Sequence, residues 1–324
     1  MPEGPEVRRY ALQLQEALEN EPLVALSART KDAKAWLLRH GAGLVGRRIE
    51  AIRSHGKHLY GVLEGGIGFH SHLMMWGRWQ VFGPDENPEP DRRERARLVS
   101  NRSCAVLFSA PVFEIFEGRP YEVVENLRTL GPDVLPYEGD FDSLEFERRL
   151  FLPENRTREV GAVLLDQRVC AGIGNYFRAD LLWSCQIDPW TRVENLNAQQ
   201  LACLNAQIPL LARRSLAEPG VTVAPDLREL LLSESALHYN PEIPEWAARH
   251  AVFRRTNLPC LRCGGPIKQK FQTVYRTPDG DEENDKARLI YFCPACQNVD
   301  LETVPTAKMT RKKRVAKPKV ASGE

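Results

Sequence analysis

The sequence contains no apolar run that approaches the roughly 20 residues of a membrane-spanning helix. Its N-terminus has no basic segment followed by an apolar core, which is the pattern of a secretory signal. These two absences predict an intracellular protein with no membrane partner. No internal repeat is present. The 324 residues, 43% of them hydrophobic, are enough for two domains and a small third.

Net charge is also nearly absent, at +1. The segment 303–324 carries seven Lys or Arg and one acid, a charge of +6, so the other 302 residues carry −5. A diffuse positive field over the body is therefore excluded. If the body binds a polyanion, it does so through a focused basic face.

Half of the eight cysteines have no partner nearby in the sequence. Cys104, Cys170, Cys185 and Cys203 lie singly in apolar surroundings, and we interpret them as small core residues. The other four form two CxxC pairs separated by 29 residues: Cys260, Cys263, Cys293 and Cys296. Four thiolates at this spacing can surround one zinc ion and leave no open position. The pattern predicts a structural zinc site rather than disulfides.

The pattern of apolar residues divides the chain into four regions. A helix is predicted from Pro5 to about Glu19, since Pro5 suits a first helical position. Short apolar runs separated by Gly, Pro and charged turns fill 45–125 and favour a sandwich or barrel of antiparallel strands. After "LGPDVLP", the period becomes helical over 141–250, including "DSLEFERRLFL", "REVGAVLLDQRV" and "NYFRADLLWSC". Residues 251–300 hold the cysteine pairs and two strand-like runs.

Two short motifs permit both a structural and a functional interpretation. In "AGIGN" (171–175), Gly172 and Gly174 allow close backbone approach, and Asn175 stands where a helix begins. This is either a phosphate site at a helix N-terminus or a plain turn with an Asn cap.

In "SHLMMWGRW", Met74, Met75 and Trp76 cannot all face a core from one strand. At least one of them should be exposed, or the segment is a loop. An exposed trio could act as a wedge in a base stack.

Lys57, in "SHGKHLYG", is by itself most simply a solvated lysine. The nearby His55, His58, His70 and His72 match no metal-ligand spacing.

Taken together and in order, four motifs resemble the formamidopyrimidine-DNA glycosylase/endonuclease VIII family. They are "PEGPE" at the start, "GK" at 56–57, "LLDQRVCAGIGNYFRADLLW" at 164–183 and the two cysteine pairs. The resemblance covers residues 2 to about 297 and is closer to the endonuclease VIII branch.

The resemblance implies an α+β multidomain fold. It implies an N-terminal catalytic antiparallel β-sandwich with an N-terminal helix (1–130) and a helix–two-turn–helix DNA-binding domain (131–250). A four-cysteine zinc-finger β-hairpin (251–300) and a basic, disordered tail (301–324) would follow. DNA would lie in the cleft between the two halves, and the damaged base must leave the stack before its sugar is attacked.

The resemblance also assigns roles to individual residues. Pro2, freed by removal of Met1, would be the Schiff-base nucleophile, and Glu3 the proton donor. Glu6 would have a structural role in the first turn of the helix. Lys57 and Arg288 would grip phosphates and donate protons in the β- and δ-elimination, and Gly174 and Asn175 would contact DNA. Met74, Met75 and Trp76 would fill the vacated space in the duplex, although that branch usually has a more polar trio there.

The expected activity is that of a monomeric, bifunctional DNA glycosylase/AP lyase of base excision repair. Its partner would be damaged double-stranded DNA, its cofactor one structural Zn²⁺ and its preferred lesions oxidised pyrimidines. Two alternatives stay open: the same chemistry on oxidised purines, or a catalytically silent lesion-binding zinc protein. Five acids between Asp279 and Asp285, near Arg288, and the basic tail are extra to the family pattern. The tail is either merely solvated or adds nonspecific DNA affinity.

Overall fold

The computed structural model of the protein describes residues 2–86, 88–275 and 286–305. The insert that carries the five acids and nearly all of the basic tail lie outside these ranges. The strands are β1 (Ala25–Ala28), β2 (Ile49–His55), β3 (His58–Leu63), β4 (Ile67–His72), β5 (Arg78–Phe82), β6 (Glu94–Val99), β7 (Cys104–Phe108), β8 (Val112–Glu117), β9 (Lys268–Tyr275) and β10 (Lys286–Phe292). The helices are α1 (Gly4–Leu18), α2 (Lys31–His40), α3 (Pro120–Val123), α4 (Glu125–Arg128), α5 (Ser143–Leu150), α6 (Pro153–Arg156), α7 (Val160–Val163), α8 (Asn175–Ser184), α9 (Ala198–Ala217), α10 (Pro225–Ser233), α11 (Pro244–Ala247) and α12 (Pro294–Gln297).

The first eight strands form two four-stranded antiparallel sheets. Their orders are β1-β6-β7-β5 and β2-β3-β4-β8. The sheets share a core in which the Trp79 ring of the first sheet packs against Phe69 and Phe113 of the second, with centroid distances of 6.2 and 6.3 Å. This confirms the predicted sandwich.

Helix α1 joins the sandwich to the helical half of the chain. Its stripe of Val7, Ala11, Leu14 and Leu18 is buried in the sandwich core. On another face, the Arg9 guanidinium donates hydrogen bonds to the carbonyls of Ser215, at 3.2 Å, and Leu216, at the end of α9. The predicted N-terminal helix therefore contacts both halves.

The helical half follows the sequence pattern in part. Helix α5 forms within "DSLEFERRLFL", and Asp142 caps it by accepting from the N–H of Glu145 at 2.9 Å. The prediction of a helix through "REVGAVLLDQRV" is wrong beyond α7, because the chain turns into the loop 164–174. Gln167 holds that loop, since its side chain accepts from the N–H of Gly172 at 3.0 Å and donates to the carbonyl of Ile173 at 3.0 Å.

Two of the four lone cysteines are bonded to each other. Cys104 and Cys170 are free and buried, as expected, but Cys185 and Cys203 form a disulfide. The interpretation of this pair as separate core residues is wrong. Cys185 follows the last residue of α8 and Cys203 lies early in α9, so the packing of these two helices brings the sulfurs together.

The hairpin of β9 and β10 is fastened to α8. Arg178 of α8, fully buried, donates to the Gln272 Oε1 at 3.2 Å and to the carbonyl of Leu289 at 3.0 Å. Within the described ranges, no helix is long and apolar enough to cross a bilayer.

Candidate active site

Glu3 lies at the junction of the two halves. Its side chain is 1% exposed. Its carboxylate accepts hydrogen bonds from the backbone N–H groups of Gly174 (2.8 Å), Tyr176 (3.0 Å) and Phe177 (3.3 Å). These groups lie at the N-terminus of α8, where the first N–H groups have no partner within the helix. Glu3 thus caps a helix that belongs to the other half of the chain.

This contact settles how α8 begins. Asn175 is the first residue of the helix, as predicted, and Gly174 occupies the cap position. The alternative of a plain Asn cap is wrong, because the Glu3 carboxylate takes that role. Glycine is needed at 174, since a Cβ there would lie 2.3 Å from the Glu3 Cδ.

A second set of contacts fixes the tip of α1. The N–H of Gly4 donates to the carbonyl of Gly172 at 2.9 Å, and a Cβ on Gly4 would lie 2.8 Å from the Gly172 Cα. The Glu6 carboxylate accepts from the N–H of Glu3 at 2.9 Å and from the Tyr176 hydroxyl at 2.8 Å. Pro2, half-buried, directly precedes Glu3, so its Cα lies about 3.8 Å from that of Glu3. The first residues are therefore held in one place.

Lys57 reaches the same junction from the turn between β2 and β3. Its Nζ donates to the carbonyl of Ile173 at 2.6 Å. Gly56 makes this approach possible. Its φ is +54°, and a Cβ there would lie 2.8 Å from the Ala171 Cβ and from the Gly172 nitrogen. The lysine is thus not a merely solvated residue.

Burial shifts the proton equilibria of Glu3 and Lys57 in opposite directions. It raises the pKa of Glu3 to about 8, although the Lys57 charge and the N–H donors oppose it. It lowers the pKa of Lys57, which the Glu3 charge opposes and the charges of Arg178 and Arg288 reinforce. Glu3 can therefore hold a proton near neutral pH, as a general acid must.

Arg288 lies on β10, exposed, directly opposite the buried Gln272 of β9. Because its charge lowers the pKa values of Lys57 and Arg178, it lies within the electrostatic reach of the junction. The structure thus brings Pro2, Glu3, Lys57, Gly174 and Asn175 together, and the charge of Arg288 acts on Lys57 within this cluster.

Met74, Met75 and Trp76 form an exposed loop between β4 and β5, which we call the 74–76 loop. Their exposed fractions are 50%, 57% and 77%. The loop is a closed turn, because the N–H of Gly77 donates to the carbonyl of Leu73 at 2.8 Å. The expectation of an exposed residue or a loop is confirmed.

The four paired cysteines converge as their spacing predicts. Their Sγ atoms all lie within 4.8 Å of one another. Cys260 and Cys296 have sulfurs 3.8 Å apart, and those of Cys263 and Cys293 are 3.5 Å apart. Zn–S bonds of about 2.3 Å in a tetrahedron place neighbouring sulfurs about 3.8 Å apart, so the cluster fits a zinc ion.

The chain matches two family models. They are the formamidopyrimidine-DNA glycosylase N-terminal domain, over residues 1–111, and the formamidopyrimidine-DNA glycosylase H2TH domain, over residues 130–224. Endonuclease 8 of Pectobacterium carotovorum is 30% identical over 297 residues, covering 92% of this chain and 100% of the relative. Endonuclease 8 of Escherichia coli (strain 536) is 29% identical with the same coverage. The chain belongs to the formamidopyrimidine-DNA glycosylase/endonuclease VIII family.

Solved structures agree on the fold of this family. Lactococcus lactis Fpg in a complex with DNA containing N7-benzyl-Fapy-dG matches with a TM-score of 0.67 at 20% identity, covering 92% of this chain and 100% of that one. Members of the family are DNA glycosylases with AP lyase activity, and the chain is an enzyme of this class that acts on DNA in base excision repair.

Sequence reasoning missed three residues that hold this glycosylase site together. Tyr176 binds Glu6, Gln167 fixes the loop beside Gly172, and Arg178 ties α8 to the hairpin. A charged Arg178 inside the apolar run "NYFRADLLW" was the available signal, since a buried arginine requires several acceptors.

Proposed function

We propose that this enzyme removes oxidised pyrimidines from damaged duplex DNA and then nicks the strand, working as a monomer. The observation that carries the proposal is the placement of Pro2 and Glu3 at the junction, where the Glu3 carboxyl is buried and its pKa raised. The choice of pyrimidine lesions is supported by the closer resemblance of the chain to the endonuclease VIII branch, since the endonuclease 8 relatives are about 30% identical to it over 92% of its length.

The nucleophile in this proposal is the secondary amine of Pro2, exposed once Met1 is removed. Its lone pair attacks C1′ of the damaged nucleotide, and the bond between C1′ and the base breaks. The base leaves with the bonding electron pair and takes up a proton, and the Pro2 nitrogen loses its own proton. The bond between C1′ and the ring oxygen then breaks, the oxygen keeps the electron pair and is protonated, and an iminium forms between C1′ and Pro2. Amines attack only in the uncharged form, and the positive charge of Lys57 nearby favours that form.

Glu3 is the proton carrier for these steps. It protonates the ring oxygen of the sugar or the departing groups, and its raised pKa keeps a proton available. The iminium acidifies the C2′ proton. Loss of that proton expels the 3′ phosphate, and a second elimination expels the 5′ phosphate.

The cationic side chains around the junction are the proposed contacts with DNA phosphates. Lys57 and Arg288 would bind the phosphates that flank the flipped nucleotide and donate protons in the β- and δ-elimination. At the N-terminus of α8, the Gly174 N–H already donates to Glu3. The proposed contact with DNA there therefore comes from the Asn175 side chain, with Gly174 giving close backbone approach.

The 74–76 loop would enter the duplex where the base has left. Met74, Met75 and Trp76 present large apolar surfaces to solvent, and such side chains wedge into base steps. One structural zinc ion, held by Cys260, Cys263, Cys293 and Cys296, would fix the hairpin that carries Arg288.

Borohydride reduction on abasic-site DNA tests the covalent step. The enzyme, with loss of Met1 verified by mass spectrometry, should be trapped on the DNA. Pro2→Gly should keep some trapping with altered kinetics, since an amine survives. If the wild type forms no adduct, the alternative of a silent lesion-binding zinc protein is favoured.

The lesion preference needs a separate test. Release of thymine glycol and of 8-oxoguanine should be compared in duplexes of the same sequence, under single-turnover conditions. Faster release of thymine glycol supports the proposal. Faster release of 8-oxoguanine favours the same chemistry on oxidised purines.

A further inference from the structure

Three histidines and one glutamate form a row on the face of the second sheet that lies next to Lys57. His58 on β3 stands directly opposite His72 on β4, and His70 on β4 stands directly opposite Glu114 on β8. The His58 Nδ1 lies 2.9 Å from the His70 Nε2, and the His70 Nδ1 lies 2.6 Å from the Glu114 Oε1. His58 and His70 are buried, with exposed fractions of 8% and 0%. This face is therefore a hydrogen-bonded polar row rather than an apolar surface.

The direction of the hydrogen bonds follows from Glu114. The His70 hydrogen bond lowers the pKa of this carboxyl, so Glu114 is ionised and can only accept. The His70 Nδ1 therefore carries the proton. The His58 Nδ1 and the His70 Nε2 share the next hydrogen bond of the row, so the His70 ring is held at both nitrogens and has one fixed orientation.

His72 ends the row and contacts the 74–76 loop. Its ring packs edge-on against His58, with centroids 4.7 Å apart and an interplanar angle of 67°. Its Nδ1 accepts a hydrogen bond from the N–H of Met74 at 3.1 Å. Burial, with the Lys57 charge, lowers the pKa of His72 to about 4. The ring is therefore neutral at pH 7, and Nδ1 can act as an acceptor.

The acceptor is placed where the loop needs one. Met74 has φ = +51°, in the left-handed region that residues other than glycine rarely adopt. A side-chain acceptor that binds the N–H two residues further on is the arrangement by which Asn and Asp stabilise turns. The Leu73–Gly77 hydrogen bond closes the same turn from the other side.

We propose that His72 is a positioning residue, which fixes the 74–76 loop in its projecting conformation before DNA arrives, and that the Glu114–His70–His58 row fixes the ring of His72. The use of the loop on DNA rests on the function proposed above. A loop that is already ordered loses less conformational freedom when it enters the duplex, so more of its contact energy appears as affinity.

The test compares His72→Phe with His72→Asn in the full-length enzyme. Phenylalanine keeps a ring against His58 but offers no acceptor, whereas asparagine can accept from the N–H two residues on. If His72→Phe does not fold, His72→Leu is the second variant without an acceptor. The chain has four methionines, namely Met1, Met74, Met75 and Met309, so ¹³C-methyl-methionine spectra report directly on the loop.

Without DNA, the Met74 amide should exchange about tenfold faster in His72→Phe than in the wild type, which corresponds to one lost hydrogen bond. The Met74 and Met75 methyl signals should become averaged. His72→Asn should restore both readouts. An unchanged Met74 amide in His72→Phe, or failure of His72→Asn to restore protection, would overturn the role of His72.

A DNA measurement separates this inference from the proposed function. His72→Phe should reduce the preference for a duplex with a tetrahydrofuran abasic-site analogue over an undamaged duplex by about tenfold, and His72→Asn should restore it. If the loop loses order in His72→Phe while this preference stays unchanged, the His72 contact stands and the use of the loop on DNA is refuted.

Discussion

The Glu3 carboxylate accepts a hydrogen bond from the backbone N–H of Gly174 at 2.8 Å, across 171 residues of sequence. The same carboxylate caps α8 with two further N–H groups. The proposed proton donor is thus also one of the groups that join the two halves of the enzyme. A change that moves the halves apart should also displace the reacting carboxyl.

Gly174→Ala should lower base excision by about 100-fold, because its Cβ would lie 2.3 Å from the Glu3 Cδ and displace the carboxyl. Single-turnover excision on a lesion-containing duplex measures the effect. Gly43→Ala is the control, since a Cβ at Gly43 meets nothing within 4 Å. A Gly174→Ala enzyme with wild-type rates would contradict the placement of Glu3.

Glu3→Gln should reduce base excision by about 10²–10⁴-fold while DNA binding is retained, because the amide keeps the size of the side chain and loses the transferable proton. Rates and binding are measured on the same duplex. Glu16→Gln, at an exposed position on the same helix, controls for charge. Normal excision by Glu3→Gln would show that another group carries the proton.

Excision should decline as pH rises above about 8, because burial raises the pKa of Glu3 to about 8 and the protonated form is the active one. Deprotonation of the Pro2 amine acts in the opposite direction at lower pH, so the profile of the single-turnover rate should be bell-shaped. Rates measured from pH 6 to 10 provide the check. A rate that still rises at pH 10 would exclude Glu3 as the acid.

Trp76→Ala should weaken binding to a duplex containing an abasic-site analogue by about 1–3 kcal/mol, the usual contribution of one stacked base. Its free energy of unfolding should change by less than about 0.5 kcal/mol, since the side chain is 77% exposed. Leu38→Ala, at a 79% exposed position on α2, is the matched control. Equal affinities for both variants would argue against insertion of the loop.

Cys263→Ser should release zinc and reduce DNA affinity, because the hairpin that carries Arg288 would lose the metal that fixes it. Zinc content by atomic emission and affinity by fluorescence anisotropy test this. Cys104→Ala, which removes a buried free thiol outside the cluster, should keep its zinc. Full zinc content in Cys263→Ser would mean that the four thiols are not the ligand set.

The sequence by itself determined what depends on local spacing. Pro5 and the apolar stripe from Val7 to Leu18 predicted α1, because a helical period is visible within one short stretch of sequence. The CxxC spacing specified the thiol cluster for the same reason. The sequence did not predict β1 or α2. β1 has only four residues and α2 buries only Ala33, so neither element has a clear periodic pattern of apolar residues.

Only the tertiary structure decided which distant groups meet. No local pattern predicts the disulfide between Cys185 and Cys203 or the hydrogen bond from Arg178 to Gln272. The same is true of the packing of the His58 ring against His72, which accepts a hydrogen bond from the N–H of Met74. Most of these contacts depend on the packing of elements that are far apart in sequence. The sequence indicated Glu3 as a candidate proton donor. Packing against α8 buries its carboxyl group, and this burial raises its pKa.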